Sequence, residues 1–163
     1  MTDGAPAIFV ALEQSGFSAG IRQSPWLYPA ANIGHIVFLV LFAGALAVMD
    51  VRLAGGLNAI APTPILARAR AVAVAALAGM ALTGFVLFAA EAGALVRNPV
   101  FRLKVVLVGA GLINVAIYEL WVWRAVQGLR EDAPMPTAAR IAGFVSISIW
   151  IAVAACGRAI AYF

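Results

Sequence analysis

Four long apolar runs, at residues 29–50, 70–91, 102–124 and 140–161, restrict this chain more than any other feature of it. Each is long enough to cross about 30 Å of hydrocarbon at 1.5 Å per residue, and each is bounded by charges or helix breakers. Lipid offers the backbone no hydrogen-bond partners, so a spanning segment has to satisfy its own N–H and C=O groups and becomes a helix. The chain is 163 residues long, 64% hydrophobic and 11% charged, with a mean hydropathy of +1.01. One soluble core of that length does not bury so much apolar surface. The expected fold is all-α and polytopic, a bundle of four transmembrane helices over 29–163 preceded by an interfacial segment over 1–28.

The boundaries carry their own chemistry. Pro29 suits the first turn of a helix because its missing N–H would have no partner there. The first run closes on "MDVRLAGG", where Asp50 and Arg52 are expected to meet water and Gly55 and Gly56 to stop the helix. Between the third and fourth runs, "GLREDAPMPT" is polar and proline-bearing, and so belongs outside the membrane. Over residues 7–22, Ile8, Leu12, Phe17 and Ile21 oppose Glu13, Gln14, Ser15, Ser18 and Arg22, which predicts a short amphipathic helix lying in the interface. Trp26 and Tyr28 then supply the amphipathic rings common where a chain enters a bilayer. With Asp3 and Glu13 near the start, no basic leader and only the short run "APAIFVAL", the first residues are expected to stay on the mature chain.

A net charge of +4 would suggest nucleic acid in a soluble protein, but these basic residues are scattered between apolar runs and read as loop charges facing headgroups. Arg52, Arg68, Arg70, Arg124, Arg130 and Arg140 fall on one side of the bundle, and Arg22, Arg97, Arg102, Lys104 and Arg158 on the other. By the positive-inside rule, the excess of six over five is expected to leave the termini outside the cytoplasm, on the periplasmic side of a bacterial membrane. Small residues at helical spacing predict close packing: Ala71, Ala75 and Gly79, Ala139 and Gly143, then Gly143, Ser146, Trp150 and Gly157, and Lys104, Gly111 and Tyr118 with Asn114 at the edge. Such faces fit other membrane subunits or self-association.

Polar groups inside a membrane need a reason, and here they are Asn32, His35, Thr83, Asn114, Glu119, Ser146 and Ser148. The single histidine, His35, shares a helix face with Asn32 near the basic surface that holds Arg102 and Arg158. Its neutral imidazole suits four roles: a hydrogen bond to a neighbouring helix, ligation of a b-type haem or a metal, contact with a quinone, or a place on a metal-ion path. Asn32, Arg102 and Arg158 would complete a haem or quinone site. The common haem arrangement in a bundle takes two histidines, and neither Met49 nor Met80 is an obvious second ligand. Glu119, beside Trp121 and Trp123, reads as an interfacial carboxylate reaching toward Arg124. Lys104 lies at a helix end, where a retinal Schiff base would be hard to bury. Cys156 is alone, which excludes a disulfide within the chain. No nucleophile with a base, phosphate loop or ligand cluster appears, so independent catalysis is not expected.

"LEQSGFSAGIRQSPWLYPAANIGHI", "MDVRLAGG", "LTGFVLF", "NPVFRLKVVLVGAGLINVAIYE" and "GRAIAYF" resemble, in order, a family of small bacterial inner-membrane proteins of unknown function. The third and fourth of these motifs are also distantly similar to the membrane domain of the copper-resistance protein CopD. The resemblance implies four spans and a preceding surface helix, and brings no activity. It also implies a histidine where this chain has Glu119, which takes weight from a haem or copper site. The functional expectation is a non-catalytic integral membrane subunit or anchor of a larger assembly, with a haem- or quinone-binding electron-transfer protein and copper or ion passage as alternatives.

Overall fold

A computed structural model describes residues 4–57, 61–130 and 133–163. Asp3 and the acidic pair at 131–132 of the polar turn, both invoked above, lie outside the described residues. Two short helices, α1 (Ala7–Glu13) and α2 (Gly16–Gln23), precede the long α3 (Leu27–Leu53) and α4 (Pro62–Ala90). One turn, α5 (Ala92–Leu95), leads into α6 (Pro99–Ile117), which continues through a π-helical turn at Tyr118–Val122 into α7 (Trp123–Val126). The chain ends with α8 (Thr137–Ala159) and a 3₁₀ turn. The described residues hold four helices long and apolar enough to cross a membrane, at Leu27–Leu53, Pro62–Ala90, Pro99–Val126 and Thr137–Tyr162.

Every span is longer than its apolar run. The second begins at Pro62 rather than near residue 70, so Arg68 and Arg70 lie within the helix instead of before it. Prolines mark the true starts: Pro62 and Pro99 occupy the first helical turn. Before Pro99, the Asn98 side chain accepts from Val100 N at 2.9 Å and Phe101 N at 3.1 Å. Its amide also donates to the Ile160 carbonyl at the end of α8, at 3.2 Å.

The helices pack in the spatial order α4, α3, α8, α6. Close approaches need small residues. A Cβ on Gly79 would lie 2.5 Å from the Phe38 ring, and one on Gly111 would lie 2.9 Å from Trp150. On α8 the expected face is packed at Ala139, Gly143 and Ser146, which are buried, but not at Gly157, which is exposed. On α4 it is not: Ala71 and Ala75 are exposed, and the buried stripe runs Leu66, Ala69, Ala73, Ala76 and Gly79. Rows of both threes and fours lie close together on a helix surface, and α3 meets a row that mixes them.

Contrary to expectation, Asp50 and Arg52 near the end of α3 do not reach water. Gly55, at φ +102°, closes the helix in a Schellman motif, with Gly55 N bonding Arg52 O at 3.2 Å and Gly56 N bonding Val51 O at 2.8 Å. A Cβ on Gly143 would touch Leu53 and the Asp50 carbonyl, at 3.1 and 3.3 Å. Gly143 lies six residues past Thr137, so α3 stops about 9 Å short of the start of α8. Leu66, Val122, Val126, Met135 and Ala139 close over Leu53 as an apolar roof. Beneath it, Asp50 is 5% exposed and Arg52 0%.

At the opposite end, the amphipathic segment is two helices rather than one. The hydroxyls of Ser15 and Ser18 both donate to Leu12 O at 2.6 Å, and Ser15 accepts from Ser18 N, which breaks the helix and caps the next. The pair docks on the α4–α5 corner. Ile21 packs with Ala89 and Ala90, Phe9 meets Phe88 edge-on, and Phe17 stacks on Phe85. Arg22 donates to the Ala90 carbonyl at 2.9 Å, while Glu13 accepts from the Gly93 amide at 2.6 Å. A cation therefore meets the end of one helix and an anion the start of the next. Glu13→Ala removes a charge-assisted bond of about 1.5–3 kcal/mol. Hydrogen exchange in α1 and α2 is then expected to rise while the amides of α3 and α8 stay protected.

Candidate functional site

The helices α4 and α6 do not pack directly along their length. The cleft between them is bridged toward one end by the stacked rings of Phe88 and Phe101, with centroids 5.6 Å apart. Toward the other end, Arg70 Nε meets Glu119 Oε1 at 3.0 Å. Behind that ion pair lies a cavity of about 160 Å³ lined by all four spans. Its floor is apolar, from Phe42 and Leu46 of α3, Ala73 and Leu77 of α4, Leu112 of α6 and Trp150 of α8. Its upper part holds Asp50, Tyr118, Asn114 and Ser146, and Val74 and Val115 flank the cleft.

Three polar atoms on this wall are buried and have no hydrogen-bond partner among the described residues: Asp50 Oδ2, Tyr118 Oη and Trp150 Nε1. Unsatisfied polar atoms are rare in protein interiors, and here three of them lie around one cavity. Their elements explain their positions. Asp50 is there because α3 ends under the roof. Tyr118, 6% exposed, begins the π turn, and such turns recur where a helix carries a functional side chain. Trp150 is held by Gly111 on one side and by Phe42 on another, edge-to-face with centroids 4.7 Å apart. Ser146 lines the same space, and Asn114 spends its amide on Ala142 O at 3.1 Å. A second recess, of about 250 Å³ between α3 and α8, shares Phe42, Leu46, Asp50 and Trp150, so these four side chains separate two spaces.

His35 occupies a different place. Its Nδ1 lies 3.0 Å from Thr83 Oγ1, and the Thr83 hydroxyl donates to Gly79 O at 2.7 Å. The ring fits against Gly84, whose absent side chain leaves the room. Asn32 is exposed and is not brought to the histidine. Arg102 donates to Val96 O at 2.8 Å, and Arg158 lies over the Tyr162 ring at 4.7 Å and bonds its hydroxyl, so the two arginines are engaged elsewhere. Met49 and Met80, weighed as second haem ligands, pack against the apolar cluster around Phe42. The described residues contain no group of three His, Cys, Asp or Glu side chains placed to hold a metal. The four residues expected to form a haem or quinone site are thus spread over separate contacts, and His35 serves the α3–α4 pair.

Glu119 faces Arg70 of the second span rather than Arg124. Asp50 is the residue the linear pattern hides. A carboxylate one turn from a helix end looks solvated, and its depth depends on how far the neighbouring helices extend. No family model, curated protein or solved structure matches the chain.

The Arg70–Glu119 pair is expected to tie α4 to α6. In a double-mutant cycle with Arg70→Gln and Glu119→Gln, thermal unfolding in detergent should show a coupling of about 0.2–1 kcal/mol, as for partly exposed pairs.

Proposed function

We propose that this chain is a non-catalytic membrane protein that binds a small, mostly apolar molecule inside its bundle, reached from the bilayer between α4 and α6. The observation that carries this reading is the set of unpartnered atoms, Asp50 Oδ2, Tyr118 Oη and Trp150 Nε1, around one cavity. Membrane proteins keep ionisable groups inside the bilayer where these are used, and a buried carboxyl with a free oxygen is costly otherwise. A volume near 160 Å³ compares with the engineered cavity of about 150 Å³ that takes up benzene. Apolar walls with a few fixed polar groups are the common make-up of a ligand pocket.

The setting is a bilayer, taken as the bacterial cytoplasmic membrane. With Arg52 buried, Arg68, Arg70, Arg124, Arg130 and Arg140 face five basic side chains on the other side, and charge favours neither orientation. A role as a subunit of a larger assembly fits the same site, with the ligand delivered to or from a partner. Haem, copper and ion passage receive no support from the surroundings of His35.

The probe for this reading is 4-fluorobenzyl alcohol, a ring of matching size with one hydroxyl, followed by fluorine NMR in phosphatidylcholine nanodiscs. Saturable binding above the lipid background is expected. It should fall about tenfold or more in Val74→Trp, which fills the cleft, and persist in Val72→Trp on the outer side of α4. A response that tracks the lipid content alone, or one unchanged by Val74→Trp, rejects the reading.

A further inference from the structure

We infer that the molecule held in this cavity is an organic ammonium ion, a compact amine with an aromatic or short aliphatic body, whose nitrogen sits on the Asp50 carboxylate. The inference rests on the reading of the cavity as a binding site and adds the chemical class of its ligand.

Charge is the first argument. The ionisable side chains of opposite charge on the cavity wall are Arg70 and Glu119, and they neutralise each other at 3.0 Å. Asp50 is left as the charge in excess. It is 95% buried by its 5% exposure, Oδ2 has no partner, and no cation among the described residues lies within ion-pair distance. A buried carboxylate gains most from a charge-assisted bond to a group that brings both positive charge and hydrogen. An ammonium supplies the two together.

The walls are the second argument. Phe42, Tyr118 and Trp150 stand around the space, and the faces of such rings attract cations that have shed their water. The Tyr118 hydroxyl adds a further acceptor for an N–H. Competing chemistries fit less well. An anion would meet Asp50 with Arg70 already taken, and a neutral quinone would use the Trp150 and Tyr118 donors but leave Asp50 unserved. A bare metal ion asks for several oxygen ligands, whereas of the two carboxylates on this wall Glu119 is held by Arg70, and the described residues form no metal-holding group.

The route agrees with the class. The cleft between α4 and α6 faces the bilayer, where amphiphilic amines concentrate with their bodies in the hydrocarbon. The polar upper part of the cavity and its apolar floor would seat such a molecule in the same sense.

The test compares two probes of the same ring, 4-fluorobenzylammonium and 4-fluorobenzyl alcohol, at neutral pH in nanodiscs of zwitterionic phosphatidylcholine. The ammonium is expected to bind about tenfold to a hundredfold tighter than the alcohol. Asp50→Asn should abolish that preference while alcohol binding remains, which also reports that the variant is folded. Asp50→Glu, which keeps the charge, should retain a preference if Asp50→Asn fails to fold. If the alcohol binds saturably and the ammonium binds no tighter, the ammonium assignment is overturned and the cavity remains a binding site. If the preference survives Asp50→Asn, the assignment to Asp50 is overturned as well. If neither probe binds saturably, the cavity reading itself fails, and this inference fails with it.

Discussion

The apolar roof over the end of α3 decides most of what is distinctive here. Lipid requires each span to be a helix but says nothing about relative lengths, and α3 stops while α8 runs about 9 Å further. Leu53 fills the space beneath Leu66, Val126, Met135 and Ala139, and the Schellman turn satisfies the last carbonyls without exposing them. Asp50 and Arg52 are buried as a result. A longer α3 would have carried both into water, and the cavity would have lost the carboxyl on its wall that has no counter-ion among the described residues.

Around that short helix the bundle is asymmetric. On one flank α3 packs tightly on α4, where Gly79 receives the Phe38 ring and Thr83 joins His35 to the Gly79 carbonyl. On the other flank α8 packs against both α3 and α6, using Gly143 and Gly111. The two outer helices, α4 and α6, are left to meet through a pair of rings and an ion pair. A space between spans that touch only near their ends is easier to enter than one inside a closed ring of helices. The π turn at Tyr118–Val122 then places a phenol and a carboxylate on that side of α6.

The spans were legible because backbone satisfaction in lipid writes itself into long apolar runs, and Gly55 announced the stop of α3 through a conformation side chains avoid, while Gly56 leaves room for Val51. Their starts were misplaced for a physical reason. Charges resemble edges in a linear pattern, but Arg68 and Arg70 extend from within α4, and Pro62, Pro99 and Asn98 are the better markers. The residues of the site divided in the same way. Asn32 and His35 do lie three apart on one helix, yet one is exposed and the other meets Thr83, because a face wide enough to hold both is wider than the contact. Asp50 was hidden because its depth is a property of four helices together. Periodicity along one helix carries no information about where its neighbours end.

The clasp formed by Glu13 and Arg22 has a consequence for the order of events during synthesis. Its partners, the Ala90 carbonyl and the Gly93 amide, emerge from the ribosome some seventy residues after the helices that use them. The first helices of the chain therefore wait at the membrane surface while the first hairpin of spans is inserted, and they settle only once its far end has returned to their side. Their docking closes a loop across the earliest part of the chain, and it is a local record that the hairpin was inserted the right way round.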